Sequence, residues 1–422
     1  MQTLHKKWIS AALSLTIAAT GVFTTVPAAS VAEAATSSKI SITLDGYNLP
    51  FPVAPTMIKG TTMVPFRTIS EALGITVSWN QSAKTITATS PAGQTSKKVI
   101  LKMNDTTATV NGQNVTLAVA PQSISNNTMI PLSFFSQQFG ADVKWNAAAR
   151  TVEIVSPAED LYTLGFYAIS SYDERSFVPD FDSVAYGWSR ITTDGEFSTT
   201  STEYKWPQAA GTDTPDTIIQ NTATQGTSPY LMVYSVDGHG ELTKNLQDAT
   251  LQNRTISAIV DTATSKGFKG IVLDFEGLGW SGDKAKARTE YNAFIQNMSA
   301  RAHQAGLKLT LALHPLNSSY TGYDYKTLGT LADDLIIMAY DYADKKSPEP
   351  IAKVDDAIQL AVKQVDKSKL ILGISLSSED SSSVNTKIGL AKRYDLKGIA
   401  LWRLGIIGQN AWTAMHKSVT FK

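Results

Sequence analysis

From residue 161 onward, this 422-residue chain repeats one cycle eight times: a short apolar run, then a helical or loop stretch. The runs are 162–169, 183–188, 230–236, 270–275, 307–313, 334–340, 369–374 and 398–402. Apolar runs of this length, bounded by turn residues, read as buried strands. The intervening stretches 251–266, 285–304 and 353–365 read as helices, with Glu290, Phe294 and Met298 one turn apart and Gly306 as a stop. Strands alternating with helices imply a parallel sheet covered by helices. Eight such units in 262 residues fit a closed (β/α)8 TIM barrel. An open doubly wound sheet carries less weight, because no Gly-x-x-x-x-Gly-Lys phosphate loop occurs. The expected class is therefore α/β.

In a barrel, chemistry collects where the strands end. The fourth run reads Gly270-Ile271-Val272-Leu273-Asp274-Phe275-Glu276. Residues two apart on a strand share a face, so Asp274 and Glu276 project together from its C-terminal end. Two adjacent carboxylates disfavour joint ionisation, which leaves one holding a proton as a general acid. Around them the other strand ends place Tyr167, Tyr186 with Trp188, Asp237 with His239, His314, Tyr340 with Asp341, and Trp402. His314 reads as a supporting or surface histidine rather than a catalyst.

The fourth run resembles the signature of family 18 glycoside hydrolases, Asp-Gly-x-Asp-x-Asp-x-Glu. Gly270, Asp274 and Glu276 match it, while Lys269 and Val272 stand where the family has Asp. Met338-Ala339-Tyr340-Asp341 is similar to the family's Met-x-Tyr-Asp on strand six, Gly165-Phe166-Tyr167 to its strand-one motif, and Trp402 to its last-strand Trp. The resemblance covers roughly residues 161–416 and is closest to the bacterial spore-cortex and cell-wall branch. It implies substrate-assisted catalysis with retention. Glu276 is then the acid and later the base, Asp274 holds the 2-acetamido group, and Tyr340 bonds its oxygen. Asp341 contacts the sugar, and Trp402 stacks beneath it. Tyr167 and Met338 complete the implied substrate-binding set, and Trp188, read from its strand-end position, is a candidate outer sugar subsite. Val272 removes the partner that the family gives the central Asp.

Residues 39–156 contain one pattern twice, offset by 66: Met63-Val64-Pro65-Phe66 answers Met129-Ile130-Pro131-Leu132, and Val77-Ser78-Trp79-Asn80 answers Val143-Lys144-Trp145-Asn146. An ungapped internal match marks a duplication. Each copy reads as a short helix after its Pro, a Gly stop and two strands, an α+β unit. Trp79 and Trp145 are expected in the core. The region resembles the copper amine oxidase N-terminal-like, or stalk, domain, with a spacer as its plainer role and wall attachment as its sharper one. A polar joint at 156–160 is expected to separate it from the barrel.

Before the repeats, Lys6 and Lys7, an apolar stretch and Ala32, Ala34 and Ala35 read as a cleaved signal peptide over 1–35. The expected division is 1–35 leader, 36–156 stalk and 161–422 barrel. The chain has no Cys and five His without metal-site spacing, so neither metal nor cofactor is expected. Lys plus Arg and Asp plus Glu each number 37, which gives no basic excess for nucleic acid. The expected protein is a secreted or wall-associated glycosidase with no membrane span after cleavage. Its substrate is a GlcNAc-containing polysaccharide, peptidoglycan first. The alternatives are a chitinase and a non-catalytic wall-sugar binder on a hydrolase-like barrel.

Overall fold

The eight apolar runs form eight strands: β1 (Tyr162–Tyr167), β2 (Ser183–Ile191), β3 (Ser228–Val236), β4 (Gly270–Glu276), β5 (Lys308–Leu313), β6 (Asp334–Ile337), β7 (Leu370–Ser375) and β8 (Gly398–Trp402). The computed structural model describes residues 39–90, 96–342 and 346–422, so the leader expected at 1–35 lies outside the described residues. Each strand pairs in parallel with the next. The β1–β8 pairing closes the ring. The sixth strand is shorter than expected. After Ile337 the amides of Ala339 and Tyr340 bond back to the carbonyls two residues earlier, so 338–340 turn off the ladder.

Strand pleat sorts the side chains into two layers. Along β4, Ile271, Leu273 and Phe275 face the helices and join the large outer core. Val272 instead packs in the barrel interior with Leu164, Phe166, Met232, Ala312 and Ile336. Asp274 and Glu276 continue that inward face, which places them at the top of the barrel. The covering helices begin with side-chain caps where the sequence offers them. Asp283 accepts the amides of Ala285 and Lys286 at 3.0 and 3.1 Å and opens helix Lys284–Gln304. That helix buries Phe294 and Met298.

The N-terminal region keeps its duplication in three dimensions. Helices Phe66–Ala72 and Leu132–Gln138 start directly after Pro65 and Pro131, and strand pairs Thr76–Asn80 with Thr85–Thr89 and Asp142–Asn146 with Thr151–Val155 repeat at the same offset. The copies differ in their third strand. The first adds Lys98–Lys102, whereas the second adds Ser41–Leu44 in parallel. The core placement expected for Trp79 and Trp145 is corrected. They are 42% and 46% exposed. Each lies on a strand whose residues are mostly solvated, and Trp79 Nε1 donates to Gln81 Oε1 at 2.7 Å instead of packing inward.

The joint at 156–160 is packed. The Asp45 carboxylate accepts the Ser156 amide at 2.9 Å and its hydroxyl at 2.7 Å. Lys392, from barrel helix Val384–Arg393, donates to Ser156 Oγ and to the Pro157 carbonyl. Tyr47 and Tyr394 both donate to Asp355, at 3.1 and 2.7 Å. Residues 39–422 accordingly cluster as one unit.

Candidate active site

The top of the barrel gathers carboxylates and aromatic rings. Asp274 and Glu276 come from β4, flanked by Tyr234 of β3 and Ala312 of β5 in register with Asp274. Tyr204, Tyr234, Tyr340 and Trp402 all pack against the interior cluster that contains Val272 and Met338. Tyr204 and Tyr234 stack at 4.1 Å, and Trp402 meets Phe166 edge-on at 5.4 Å. Tyr340 has room because residue 373 of β7 is Gly: a Cβ there would sit 3.1 Å from the Tyr340 ring and 2.9 Å from the Ile337 carbonyl.

Asp274 is 4% exposed, and its Oδ1 has no hydrogen-bond partner among the described residues. Burial, and then the charge of Glu276, push its pKa well above the ordinary carboxylate range. Asp274 is thus the proton-holding member of the pair before any sugar arrives. Tyr340 is pushed up by burial and then by Asp274, Glu276 and Asp341, so its hydroxyl stays a donor. Val272 offers Asp274 no hydrogen bond from below. The next strand places Thr310 level with Val272, fully buried, with its hydroxyl unpartnered among the described residues.

Asp341 sits at the rim in a left-handed conformation, φ 60°. Its amide and that of Tyr342 donate to Glu349 at 3.0 and 3.1 Å. The Glu349 amide in turn donates to Glu379, which pairs with buried Lys387 at 3.0 Å. Nothing in the Met-x-Tyr-Asp motif signals this support, because its members lie far apart in sequence.

The structure brings together Asp274, Glu276, Tyr340, Met338 and Trp402, with Asp341 at the edge. It separates Tyr167 and Trp188 from them. Both are buried in the layer between sheet and helices, 5% and 4% exposed, and they pack on Tyr186 at 5.0 and 4.5 Å. Pleat explains the placement. Phe166 of β1 and Ala185 of β2 take the inward positions, so their alternates Tyr167, Tyr186 and Trp188 face outward. Asp237 is also otherwise engaged, accepting the Thr243 amide and hydroxyl at 2.9 and 2.6 Å.

Sequence reasoning gives His314 no catalytic part and passes over Tyr204 and Trp280. His314 ends β5 with Nε2 3.6 Å from Glu276 Oε2, stacked on Tyr320 at 4.0 Å. Tyr204 reaches the interior from the connection after β2, where no strand period marks it. Trp280, in the loop after β4, is 62% exposed and meets Tyr320 at 5.2 Å. That loop also spells Gly277-x-Gly279-x-x-Gly282, a spacing associated with dinucleotide binding. Here the second glycine serves packing, since a Cβ on Gly279 would fall 2.3 Å from the Gly322 amide nitrogen.

Comparison with known proteins bears on the family and the fold. Residues 163–389 match the family described as glycosyl hydrolases family 18, and residues 43–154 match the copper amine oxidase N-terminal domain. Copper itself finds no fit in the second region, which has neither His nor Cys. The chain is 33% identical over 275 residues to the cortical fragment-lytic enzyme of Bacillus anthracis, covering 48% of this chain and 63% of that protein. It is 25% identical over 256 residues to the putative sporulation-specific glycosylase YdhD of Bacillus subtilis, covering 56% and 57%. The chain therefore spans less than two thirds of these relatives' lengths. The spore cortex-lytic enzyme SleL of Bacillus cereus shares the fold at TM-score 0.52 and 22% identity, over 62% of this chain and 75% of that one. A chitinase of Chromobacterium violaceum does so at 0.51 and 21%, over 61% and 98%.

Proposed function

The chain belongs to glycosyl hydrolase family 18, and from that premise we propose that it is an exported retaining glycosidase cutting β-1,4 bonds after N-acetylglucosamine in peptidoglycan. The observation that carries this reading is the pair Asp274 and Glu276 on the inward face of β4, with Tyr340 within electrostatic reach of both and Trp402 packed on the same interior cluster as Val272. Residues 1–35 act as the export leader, 36–156 as a wall-retention module and 161–422 as the catalytic barrel. The similarity to cortical fragment-lytic enzymes supports a cell-wall substrate.

In the proposed reaction the sugar before the scissile bond stacks on Trp402. On substrate binding the proton that Asp274 holds passes to Glu276, leaving Asp274 a carboxylate; Glu276 then gives that proton to the glycosidic oxygen, and the bond from that oxygen to the anomeric carbon breaks. The 2-acetamido carbonyl oxygen bonds to the same carbon from the opposite face, giving an oxazolinium ion. Asp274 accepts the acetamido N–H and balances the positive charge, while Tyr340 donates to the acetamido oxygen. Glu276, now a carboxylate, takes a proton from water. The water oxygen bonds to the anomeric carbon and the acetamide is restored, with net retention. Asp341 contacts the neighbouring sugar from the rim.

The test is mass spectrometry of purified peptidoglycan and chitin oligosaccharides after incubation with the protein and with Glu276→Gln. New fragments ending in reducing GlcNAc, absent with the variant, support the reading and identify the substrate. Fragments from chitin alone support a chitinase. A second reading, a non-catalytic wall-sugar binder, rests on Val272 and on the Asp274 oxygen that has no hydrogen-bond partner among the described residues. It is favoured if neither glycan is cut while wall binding persists in both proteins.

A further inference from the structure

His314 lies at the C-terminal end of β5, next to the strand that carries both carboxylates. Two contacts fix it. The imidazole lies nearly parallel on Tyr320, with ring centroids 4.0 Å apart and 17° between planes. Its carbonyl accepts the Tyr325 hydroxyl at 3.0 Å. In that pose Nε2 points at Glu276, 3.6 Å from Oε2, and makes no hydrogen bond among the described residues although it is buried. A buried polar atom without a partner is costly, and native proteins keep one where a ligand or a reaction step satisfies it. The gap must close by about 0.6 Å to reach a normal N–H···O distance, and catalytic hydrogen bonds commonly tighten in this way once substrate is bound.

The other groups facing this pair are Asp274 from β4, Tyr234 from β3, Tyr204 from the connection after β2, Tyr323 from the connection after β5 and Tyr340 beyond β6. Two cations stand further out: Arg190 lies 5.7 Å over the Tyr234 ring, and Arg403 feels Tyr204. Most of the inner groups are carboxyl or phenol. A carboxylate left behind after Glu276 gives up its proton gains from a neutral N–H donor at its side. Val272 leaves β4 with no third carboxylate below Asp274, and the polar group nearest Glu276 from the neighbouring strand is the His314 imidazole, 3.6 Å away.

We propose that His314 is a positioning residue for Glu276: its Nε2–H donates to Glu276 Oε2 and turns the other oxygen toward the glycosidic bond. The inference rests on the glycosidase reading for its kinetic readout, but not for its structural one. Burial holds the imidazole neutral, its pKa pushed down to about 4, so it donates without carrying charge.

The experiment compares the full chain with His314→Phe, which keeps the stack on Tyr320, and His314→Gln, which keeps a donor. His314→Asn, too short to reach, is the second loss variant if Phe does not fold. The expected result is a roughly 10- to 100-fold fall in kcat for Phe or Asn, the loss of one charge-assisted hydrogen bond, with KM within about twofold. The basic limb of the kcat profile moves to higher pH, because the ionised form of Glu276 has lost a donor, and Gln restores most of both. Unchanged kcat and profile in Phe, or an equal fall in all three variants without a limb shift, overturns the proposal. If the parent protein cuts no glycan, the glycosidase reading fails on its own. A carbon-13 titration of Glu276, assigned with Glu276→Gln, then decides: a midpoint raised in His314→Phe supports the pairing and an unchanged one refutes it.

Discussion

Lys392→Met tests whether the repeat region and the barrel unfold as one body. Lys392 is 8% exposed and donates to Ser156 Oγ and the Pro157 carbonyl. Ser156 also binds the Asp45 carboxylate through its amide and hydroxyl. Methionine preserves the stem and its packing but removes the ammonium. Two buried acceptors then lose a donor, at about 1–3 kcal/mol each. The Asp45 and Glu159 charges lose the cation that faces them. Burial already costs Lys392 part of its charge stability, its pKa lying below the usual range, so the net loss falls near the lower end. About 3 kcal/mol, spread over a cooperative unit of this size, lowers Tm by roughly 4 °C. Differential scanning calorimetry of the two proteins reads both the shift and the number of transitions. One transition that moves down as a whole is expected. Two separate transitions in the parent, or an unmoved Tm in the variant, would refute the reasoning that this clamp joins the two regions energetically.

Asp274→Asn should lower kcat at least about 100-fold on any glycan the parent cuts, because the amide cannot balance the developing positive charge. The same change should raise stability near neutral pH, checked by denaturant melts. Asp274 holds a raised pKa in the folded state, and that cost grows as pH rises above the unfolded carboxyl value. His314 works in the opposite direction. Its folded pKa of about 4 lies below the unfolded imidazole value, so stability is lost as pH falls through the interval between them. His314→Phe should flatten that part of a pH-melting curve. Trp402→Ala should raise KM roughly 2- to 10-fold through the lost stacking face, measured with soluble oligosaccharides. Trp79→Ala with Trp145→Ala should leave melting nearly unchanged, since both rings are exposed, while reducing sedimentation with purified walls.

The fold was legible because each barrel strand is buried on both faces and reads as a continuous apolar run. Runs that alternated in polarity would have blurred the boundaries. The β4 carboxylates were legible for the same reason, two polar residues two apart at the end of an otherwise apolar strand. Tyr167 and Trp188 were misplaced because a continuous apolar run does not say which alternate faces inward. Only pairing and register settle that, through Phe166 and Ala185. His314 was undervalued because its role depends on Glu276, thirty-eight positions earlier, and on Tyr320 beneath it. Trp79 and Trp145 were assigned to the core because repeats commonly conserve core residues, yet both strands carry their tryptophans on the solvated side.

The central claim is that Glu276 and Asp274 cut the glycan through the substrate's own acetamido group. Proton NMR of the first product formed from a defined N-acetylglucosamine oligosaccharide tests it most directly. The β-anomer appearing first, with no cleavage of the N-deacetylated oligosaccharide and none by Glu276→Gln, is the expected result. The α-anomer appearing first, or equal cleavage of the deacetylated substrate, would contradict the account.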